Sequence, residues 1–290
     1  MYRGGTGQWA WLLHRISGVA IVYFLTLHIF ETLQLALGPA AYDEATAVYK
    51  QPWFRPFEFA LVMAVVYHAF NGGRVMLFDY FPSLTRYRKQ IFWIGIVLLV
   101  ALTPIIGYFM LSELFGMGLA EIFASMNGIG YAALIVGPVA IPVLYLLWRG
   151  SALSEGRRMI LSASNSTPAP AASRFEKLAW SFMRISGIVL VFLVLAHLFI
   201  MHIERDIAEV TGEFVVDRFR ANSVWIAIDL TMLFLAWLHG LNGVRVVLSD
   251  YMRRGAPRRI VLGAIGAFGV MWLVAGGAVL FVIPTLVIGA

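Results

Sequence analysis

The sequence contains no cysteine, and charged residues make up only 13% of its 290 residues. Without thiolates the chain cannot form a disulfide or ligate an iron–sulfur cluster, so any such cluster must belong to a partner. Soluble domains carry roughly 25% charged residues, so this scarcity of charge excludes an ordinary soluble domain. Hydrophobic residues reach 60% and the mean hydropathy is +0.81, which is typical of an integral membrane protein.

Seven apolar segments are long enough to cross a bilayer, which takes about 20 residues. Six of them meet that length readily: 15–37, 54–77, 91–112, 181–203, 223–248 and 260–286. The seventh, Ile129–Trp148, contains Pro138 and Pro142, and we expect a kinked helix there. The predicted fold class is therefore all-α, an integral membrane bundle of about seven transmembrane helices.

The basic residues are distributed unevenly between the two sides of this bundle. Five of the 22 Lys and Arg residues fall on the side opposite the N-terminus: Lys50, Arg55, Arg205, Arg218 and Arg220. The other 17 lie on the N-terminal side, here called the positive side, and the positive-inside rule places it in the cytoplasm with the C-terminus outside. The net charge of +6 thus reflects topology, and we expect a protein of the bacterial cytoplasmic membrane without a nucleic-acid partner.

An Arg-Ile-Ser-Gly run occurs twice in the sequence. It begins at Arg15 and again at Arg184, and a histidine, His28 or His197, follows each run at the same spacing. Polar residues of this kind are rare and costly in membrane spans, so their repetition is more informative than shared apolar letters. The sequence therefore contains an internal repeat.

A second pattern repeats further along each half. The run His-x-x-Asn-Gly-x-Arg begins at His68 and again at His239. The Asp-Tyr pairs at 79–80 and 250–251 follow these two histidines at equal spacing. Equivalent residues reach equivalent depths only if the two three-helix units are parallel, and we predict such a parallel pair.

Parallel repeats also explain the seventh helix. Three spans end on the wrong side for a second parallel copy to begin, and Ile129–Trp148 lies where one additional crossing is required. Ser162–Ser173 follows it as a linker of small residues and prolines. We predict three parts: a first anchor repeat at 1–112, a bridging helix and linker at 113–173, and a second repeat at 174–290.

Four histidines are expected inside the membrane. At 1.5 Å per residue, His68 and His239 lie about 16 Å below the positive-side interface, and His28 and His197 about 20 Å below it. Pseudo-two-fold symmetry pairs His68 with His239 and His28 with His197, and paired imidazoles across a bundle suit b-type haem. The alternative is that these histidines only bond neighbouring helices. We predict two haems, one at each pair, with Gly72 and Gly243 giving room for the porphyrin edge.

Several cations lie near the positive-side ends of the helices. Arg74, Arg184 and Arg245 could pair with haem propionates, and so could Arg15, because guanidinium groups bind carboxylates bidentately. Ordinary snorkelling to the interface is the alternative interpretation. His14, beside Arg15, is better suited to a propionate or a quinone than to iron.

Two acidic residues repeat as well. Glu58 and Asp229 precede His68 and His239 at equal spacing and lie near the outer ends of their spans. They could belong to a proton route, but acids at such positions are usually solvated, and we favour that interpretation.

These motifs in combination resemble a known family. The His-Arg-Ile-Ser-Gly run at 14–18, the Tyr67-His68-x3-Gly72-x-Arg74 helix and the His239-x10-Asp250-Tyr251 ending resemble the membrane anchor of succinate dehydrogenase and fumarate reductase. Residues 1–112 are similar to its larger cytochrome b subunit, and residues 174–290 are similar to its small anchor subunit.

The resemblance implies a membrane anchor and cytochrome b of succinate:quinone oxidoreductase, respiratory complex II. A flavoprotein subunit and an iron–sulfur subunit would dock on the cytoplasmic face, and electrons from succinate would reach menaquinone or ubiquinone there. The chain would be a subunit of succinate dehydrogenase (quinone) that does not itself oxidise succinate. The complex could form a higher oligomer.

The resemblance also implies roles for individual residues. His68 and His239 would ligate the proximal haem, and histidines on both halves match the two-haem members, with His28 and His197 as the distal pair. Tyr251, supported by Asp250, would hydrogen-bond a quinone carbonyl. The same pocket would be lined by Arg15, by Ser17 and by Trp11, which stands where the family often has a serine.

Three other functions remain open from the sequence. Fumarate reduction is the alternative direction within the family. A cytochrome b anchor of a hydrogenase or nitrate reductase also holds haem, but it would leave the Asp-Tyr endings and the duplicated Arg-Ile-Ser-Gly unexplained. A transporter can also be built from parallel repeats, but it should show broken helices and mixed polar groups around a midplane site.

Overall fold

The computed structural model describes residues 5–117, 121, 174–205, 207–253 and 255–285. These residues form no strand and eight α-helices: α1 (Thr6–Leu33), α2 (Pro39–Thr46), α3 (Arg55–Tyr80), α4 (Arg88–Leu111), α5 (Arg174–Phe199), α6 (Gly212–Ala221), α7 (Val224–Tyr251) and α8 (Ala256–Val282). Short 3-10 turns join several of them, and a π turn, Ile200–Glu204, follows α5.

Six helices, with their adjoining turns, are long and apolar enough to cross a membrane: Thr6–Leu37, Pro52–Tyr80, Pro82–Leu111, Arg174–Phe199, Val224–Tyr251 and Ala256–Thr285. This confirms the predicted all-α membrane bundle. α1 and α5 begin ahead of the apolar segments predicted at 15 and 181, because both helices continue through polar residues into the interface. The expected seventh helix, Ile129–Trp148, and the linker Ser162–Ser173 lie outside the described residues. The three-part division of the chain stays a prediction.

The core of the bundle consists of α1 and α3 from the first repeat and α5 and α7 from the second. α1 packs on α3 and α5 packs on α7, while α1 also meets α7 and α3 also meets α5 across the repeats. α4 flanks α3, and α8 flanks α7. The contacts therefore repeat under the pseudo-two-fold relationship that the sequence predicts.

Two indole groups tie α8 to this core. Trp237 of α7, only 1% exposed, donates its Nε1–H to the carbonyl oxygen of Gly269 at 2.7 Å. Trp272 of α8 donates to the carbonyl oxygen of Thr26 on α1 at 3.1 Å. Hydrogen bonds of this kind join helices in lipid, where a buried donor must find a partner within the protein.

The short helices α2 and α6 cover the end of the bundle opposite the positive side. Gly38 precedes α2 with a φ of 112°, which favours glycine, and Pro39 then begins the helix. Asp43 of α2 accepts a hydrogen bond from the backbone N–H of Gly212 at 3.1 Å. We call this pair of helices the α2–α6 cap, and the end that it covers the cap side.

Candidate functional site

A cavity of 960 Å³, here called the central cavity, lies between α1, α3, α5 and α7. Six of the predicted site residues line it: His14, Arg15, His68, Arg184, His239 and Arg245. Much of the remaining wall is apolar, as at Val22, Val65 and Val191. Ligand pockets usually measure about 300–1,000 Å³, so the central cavity suits a large apolar ligand with a few polar groups.

A serine of α5 holds one of the two central histidines. The Ser186 hydroxyl lies 2.9 Å from Nδ1 of His239 and donates its own proton to the carbonyl oxygen of Phe182 at 2.6 Å. A hydroxyl has only one proton, so Ser186 must accept the Nδ1–H of His239. The lone pair of the His239 imidazole is therefore on Nε2, as iron ligation requires.

The first repeat builds the same arrangement. The Ser17 hydroxyl donates to the carbonyl oxygen of His14 at 3.0 Å and lies 3.1 Å from Nδ1 of His68. That Nδ1 is also 3.2 Å from the His14 carbonyl oxygen, which can only accept. Nδ1 of His68 therefore carries the proton, and its lone pair is also on Nε2.

The glycine after each serine gives the imidazole its space. A Cβ on Gly18 would lie 2.9 Å from Cε1 of His68, and one on Gly187 would lie 3.6 Å from Cε1 of His239. Gly72 and Gly243 are the glycines expected to leave room for a porphyrin edge, which is a different role. Both line the central cavity, but a Cβ at 72 would meet His14 at 3.6 Å and one at 243 would meet nothing within 4 Å.

His14 stacks on His68. The ring centroids are 3.9 Å apart and the ring planes differ by 10°. The Nε2 lone pair lies in the plane of the His68 ring, so stacking on the ring face leaves that lone pair accessible. Nδ1 of His14 is buried and makes no hydrogen bond within the described part of the chain, so it can bond an added ligand.

Two ion pairs cross between the repeats on the positive side. Arg15 of α1 donates to Oδ2 of Asp250 at the end of α7. In the equivalent pair, Arg184 of α5 donates through Nε and Nη2 to Oδ2 of Asp79 on α3, at 2.9 and 2.5 Å. Each pair joins the first helix of one repeat to the second helix of the other, so the repeats exchange equivalent contacts as in a two-fold dimer.

The remaining two arginines differ in their partners. Arg74 and Arg245 each donate to an asparagine three residues earlier, at 2.6 Å to Asn71 and 2.8 Å to Asn242. Arg245 also binds both carboxylate oxygens of Glu176, at 2.8 and 3.0 Å. Within the described residues no ion pair neutralises Arg74, and its Nε is buried without a hydrogen bond.

The expected quinone residues lie in two places. Trp11 lies under the guanidinium of Arg15, with Cζ 4.0 Å from the ring centroid, and Tyr251 is 43% exposed next to Asp250. Ser17 is buried, and its hydroxyl is used by His14 and His68. The sequence alone did not predict that Ser17 contacts a histidine. The recurrence of Ser17 as Ser186 was a signal, because each repeat also contains an equivalent histidine.

The second histidine pair lies toward the cap side. The ring centroids of His28 and His197 are 6.2 Å apart and the planes are inclined at 73°. Two imidazole nitrogens at about 2 Å from one metal place their ring centroids roughly 6 Å apart. Both histidines line a second cavity of 280 Å³, here called the cap-side cavity.

The acids beside the cap-side cavity are not solvated as expected. Glu58 is 8% exposed and lies 3.5 Å from Arg55, and the Asp229 side chain is 14% exposed and lies 3.5 Å from Arg218. The sequence interpretation was wrong for both. Residues of the α2–α6 cap line the same cavity as both acids, so an acid there must find a cation inside the protein.

Tyr49 and Glu31 also line the cap-side cavity. Tyr49 donates its hydroxyl hydrogen to Oε1 of Glu31. Burial raises the pKa of Tyr49 well above its usual value, and the hydrogen bond to Glu31 raises it further. Burial likewise raises the pKa of Tyr42 to about 12. Both phenols are therefore neutral hydrogen-bond donors at physiological pH.

The chain matches a protein family over most of its length. The family described as succinate dehydrogenase/fumarate reductase transmembrane subunit matches residues 1–104 and 170–283. These two stretches include all of the histidines and arginines that line the central cavity.

Two curated proteins are similar to parts of the chain. The succinate dehydrogenase 2 membrane subunit SdhC of Mycobacterium tuberculosis is 41% identical over 105 residues, which are 36% of this chain and 77% of that protein. The succinate dehydrogenase hydrophobic membrane anchor subunit of Archaeoglobus fulgidus is 34% identical over 70 residues, which are 24% of this chain and 60% of that protein.

Proposed function

The chain belongs to the succinate dehydrogenase/fumarate reductase transmembrane subunit family, and from that premise we propose that it is the membrane anchor and cytochrome b of a succinate:quinone oxidoreductase. It binds haem b in the central cavity and a quinone at the positive side. It carries the quinone reaction and leaves succinate oxidation to peripheral subunits. The observation that carries this proposal is the pair of serines that puts the lone pairs of His68 and His239 on Nε2 beside one cavity.

A bis-histidine haem fits the residues of the central cavity. The described residues contain no group of three or more His, Asp or Glu that could hold a metal ion by itself. Haem iron needs only two protein ligands because the porphyrin supplies four nitrogens, and His68 and His239 would be those ligands. When bound, the haem supplies a one-electron store. Ser17 and Ser186 fix the tautomer and orientation of the two rings, as partners of metal-bound histidines generally do.

The haem propionates would meet cations in the wall of the central cavity or next to it, since Arg74 is not itself among the lining residues. Arg74 is the first candidate because no carboxylate neutralises it within the described chain, and the buried Nδ1 of His14 is the second. Arg184 and Arg245 also belong to this set, but each already binds a carboxylate, Asp79 or Glu176. A propionate bound to Arg184 or Arg245 would share the guanidinium group with the acid already bound there.

The quinone would bind where Arg15 meets Asp250. The guanidinium of Arg15 rests on Trp11, and its Nη1 is buried without a hydrogen bond within the described chain. That donor and the Tyr251 hydroxyl can each bond a quinone carbonyl oxygen, with Asp250 supporting the site. Ser17 would act here indirectly, through its hydrogen bonds to His68 and to the His14 carbonyl oxygen.

A second haem would be held by His28 and His197. The spacing of 6.2 Å between their ring centroids supports two imidazoles on one iron. The cap-side cavity of 280 Å³ is much smaller than the central cavity, so a porphyrin would fit there only after surrounding side chains move aside. We therefore propose this haem on the ring spacing alone.

The peripheral subunits would dock on the positive side. A flavoprotein and an iron–sulfur subunit must supply the flavin and clusters, because this chain has no cysteine. Arg86 on the turn after α3, with Arg88 and Lys89 at the start of α4, gives that face the charge expected of the cytoplasmic side. The proposed orientation therefore has the N-terminus in the cytoplasm and the C-terminus outside. Fumarate reduction remains the alternative direction, since the family includes both enzymes.

The proposal is tested by haem quantitation on the purified complex and on its His239→Ala variant. A reduced-minus-oxidised spectrum with pyridine haemochrome analysis should give about two haems per chain, or about one if only the central pair binds. His239→Ala should lose the central haem and the succinate:quinone activity while the protein stays in the membrane. A complex without haem, or a variant with undiminished haem, would contradict the proposal.

A further inference from the structure

The residues proposed for the quinone site occur twice on the positive side. Trp11 and Arg15 recur as Trp180 and Arg184, with the same spacing in both copies. Asp250 and Tyr251 are in turn the second copies of Asp79 and Tyr80. Because the ion pairs cross between the repeats, the mate of the Trp11–Arg15–Asp250–Tyr251 site consists of Trp180, Arg184, Asp79 and Tyr80.

The structure builds the two sets with similar contacts. The guanidinium carbon of Arg184 lies 4.5 Å from the ring centroid of Trp180, compared with 4.0 Å between Arg15 and Trp11. Arg184 binds Asp79 as Arg15 binds Asp250. Nη1 of Arg184 is the guanidinium nitrogen that Asp79 does not use, so it can donate to another acceptor.

The second set is also accessible to a ligand. Trp180 is 44% exposed, and the Arg184 side chain is 19% exposed. Tyr80 is 53% exposed, similar to the 43% of Tyr251, so its hydroxyl can turn toward a ligand. The site therefore offers a flat indole face, a cation and a phenol beside apolar wall, which are the groups that recognise a planar ring with two carbonyl oxygens.

We propose that Trp180, Arg184, Asp79 and Tyr80 form a second binding site for a quinone headgroup on the positive side. The inference rests on the proposed function, because the ligand is taken from the first site. The quinone ring lies against Trp180, and its carbonyl oxygens accept hydrogen bonds from Nη1 of Arg184 and from the Tyr80 hydroxyl. Arg184 then binds the quinone and leaves the haem propionates to Arg74, Arg245 and His14.

One difference between the two sites gives them different roles. The residue before Arg15 is His14, whereas the residue before Arg184 is Met183. Reducing a quinone to a quinol takes two electrons and two protons, and a thioether can neither donate nor relay a proton. The second site therefore lacks the imidazole beside its arginine, and it retains a second quinone molecule close to the first site.

The test uses the intact complex in membranes and a quinone analogue that carries a photoreactive aryl azide. After illumination, the labelled peptides are identified by mass spectrometry. We expect label near Trp11 or Tyr251 and also near Trp180 or Tyr80. Arg184→Gln should reduce labelling of the second group on the order of tenfold or more and leave the first group labelled, and Arg15→Gln should do the reverse.

Tyr80→Phe and Tyr251→Phe are the matched conservative pair. Each removes one exposed hydroxyl, so each variant should fold even where an arginine variant does not. Each should weaken label only at its own site. The second site would be overturned if only the first group were labelled, or if Arg184→Gln and Tyr80→Phe did not reduce labelling of the second group. Either result would leave the proposed function standing. Label at neither group would overturn quinone binding by this chain altogether.

Discussion

The Ser186 hydroxyl lies 2.9 Å from Nδ1 of His239 and has already given its proton to the Phe182 carbonyl oxygen. His68 differs, because its Nδ1 is close both to Ser17 and to the carbonyl oxygen of His14. The two histidines are thus held by equivalent serines, but only His68 has a second acceptor within the described chain. The difference allows the role of each serine to be tested separately.

Ser186→Ala should weaken haem binding more than Ser17→Ala. Without Ser186 the Nδ1–H of His239 loses the acceptor that fixes the tautomer, and losing such a partner typically costs about 10- to 100-fold in metal affinity. In Ser17→Ala the His14 carbonyl still accepts, so we expect a loss of a few-fold at most. Haem per chain, measured by pyridine haemochrome in cells with limited haem supply, checks this. Ser249→Ala is the control, because its hydroxyl has no hydrogen bond within the described residues. Equal losses in Ser17→Ala and Ser186→Ala would contradict the prediction.

The glycines beside the histidines should respond differently to alanine. In Gly18→Ala the new methyl would lie 2.9 Å from His68, so the ring must move, whereas in Gly187→Ala the contact of 3.6 Å is an ordinary one. We expect Gly18→Ala to lower haem content or shift the α-band, and Gly187→Ala to leave both near wild type. Gly243→Ala serves as the control, with nothing within 4 Å. A normal spectrum in Gly18→Ala would show that the imidazole is not confined as described.

The sequence predicted the parts of this site that depend on the repeat. The second repeated pattern put His68 and His239 at one depth, and the structure brings both to the central cavity. The same symmetry paired His28 with His197, whose rings are 6.2 Å apart. Helix lengths and apolar segments likewise predicted six of the membrane helices.

Other features depend on side-chain directions and on packing that a linear pattern does not contain. Ser17 contacts His68 because its hydroxyl is directed across the α1–α3 interface, and nothing in the residue type states that direction. The exchange of partners between Arg15 and Asp250 requires knowing which repeat each helix faces. Glu58 is buried beside the cap-side cavity, which residues of the α2–α6 cap also line, a long-range arrangement that sequence spacing does not reveal.

Arg74 and Arg245 should affect the central haem unequally. Arg74→Gln removes a positive charge that no carboxylate of the described chain neutralises, so the oxidised haem becomes relatively more stable. The midpoint potential should therefore fall by on the order of 50 mV, which corresponds to about a tenfold change in the redox equilibrium. Arg245→Gln should shift it much less, because Glu176 already neutralises Arg245. Redox titration of the purified complex measures both. Glu176→Gln is the complementary variant and should raise the potential. A larger shift in Arg245→Gln than in Arg74→Gln would overturn the assignment of Arg74.

His197→Ala should separate the second haem from the first. If His28 and His197 hold iron, the variant should fall from about two haems per chain to about one, while the spectrum of the His68–His239 haem persists. His28→Ala should give the same result, because either ligand alone is insufficient. Pyridine haemochrome analysis with low-temperature spectra distinguishes the two centres. Unchanged haem content in both variants would leave this pair as a purely structural contact between α1 and α5.

Gly212→Ala should loosen the α2–α6 cap without touching the central cavity. A Cβ on Gly212 would lie 2.5 Å from the carbonyl oxygen of Pro39 and 2.6 Å from its Cα, and backbone atoms cannot turn aside as a flexible side chain can. We expect a destabilisation of about 1–3 kcal/mol and a lower Tm, measured by thermal unfolding of the detergent-solubilised complex. Gly263→Ala on α8, with nothing within 4 Å, is the control and should leave the Tm near wild type. Since Asp43 also binds the Gly212 N–H, Asp43→Ala should lower the Tm in the same direction by a smaller amount. An unchanged Tm in Gly212→Ala would mean that α2 and α6 do not pack as closely as their contact at Pro39 indicates.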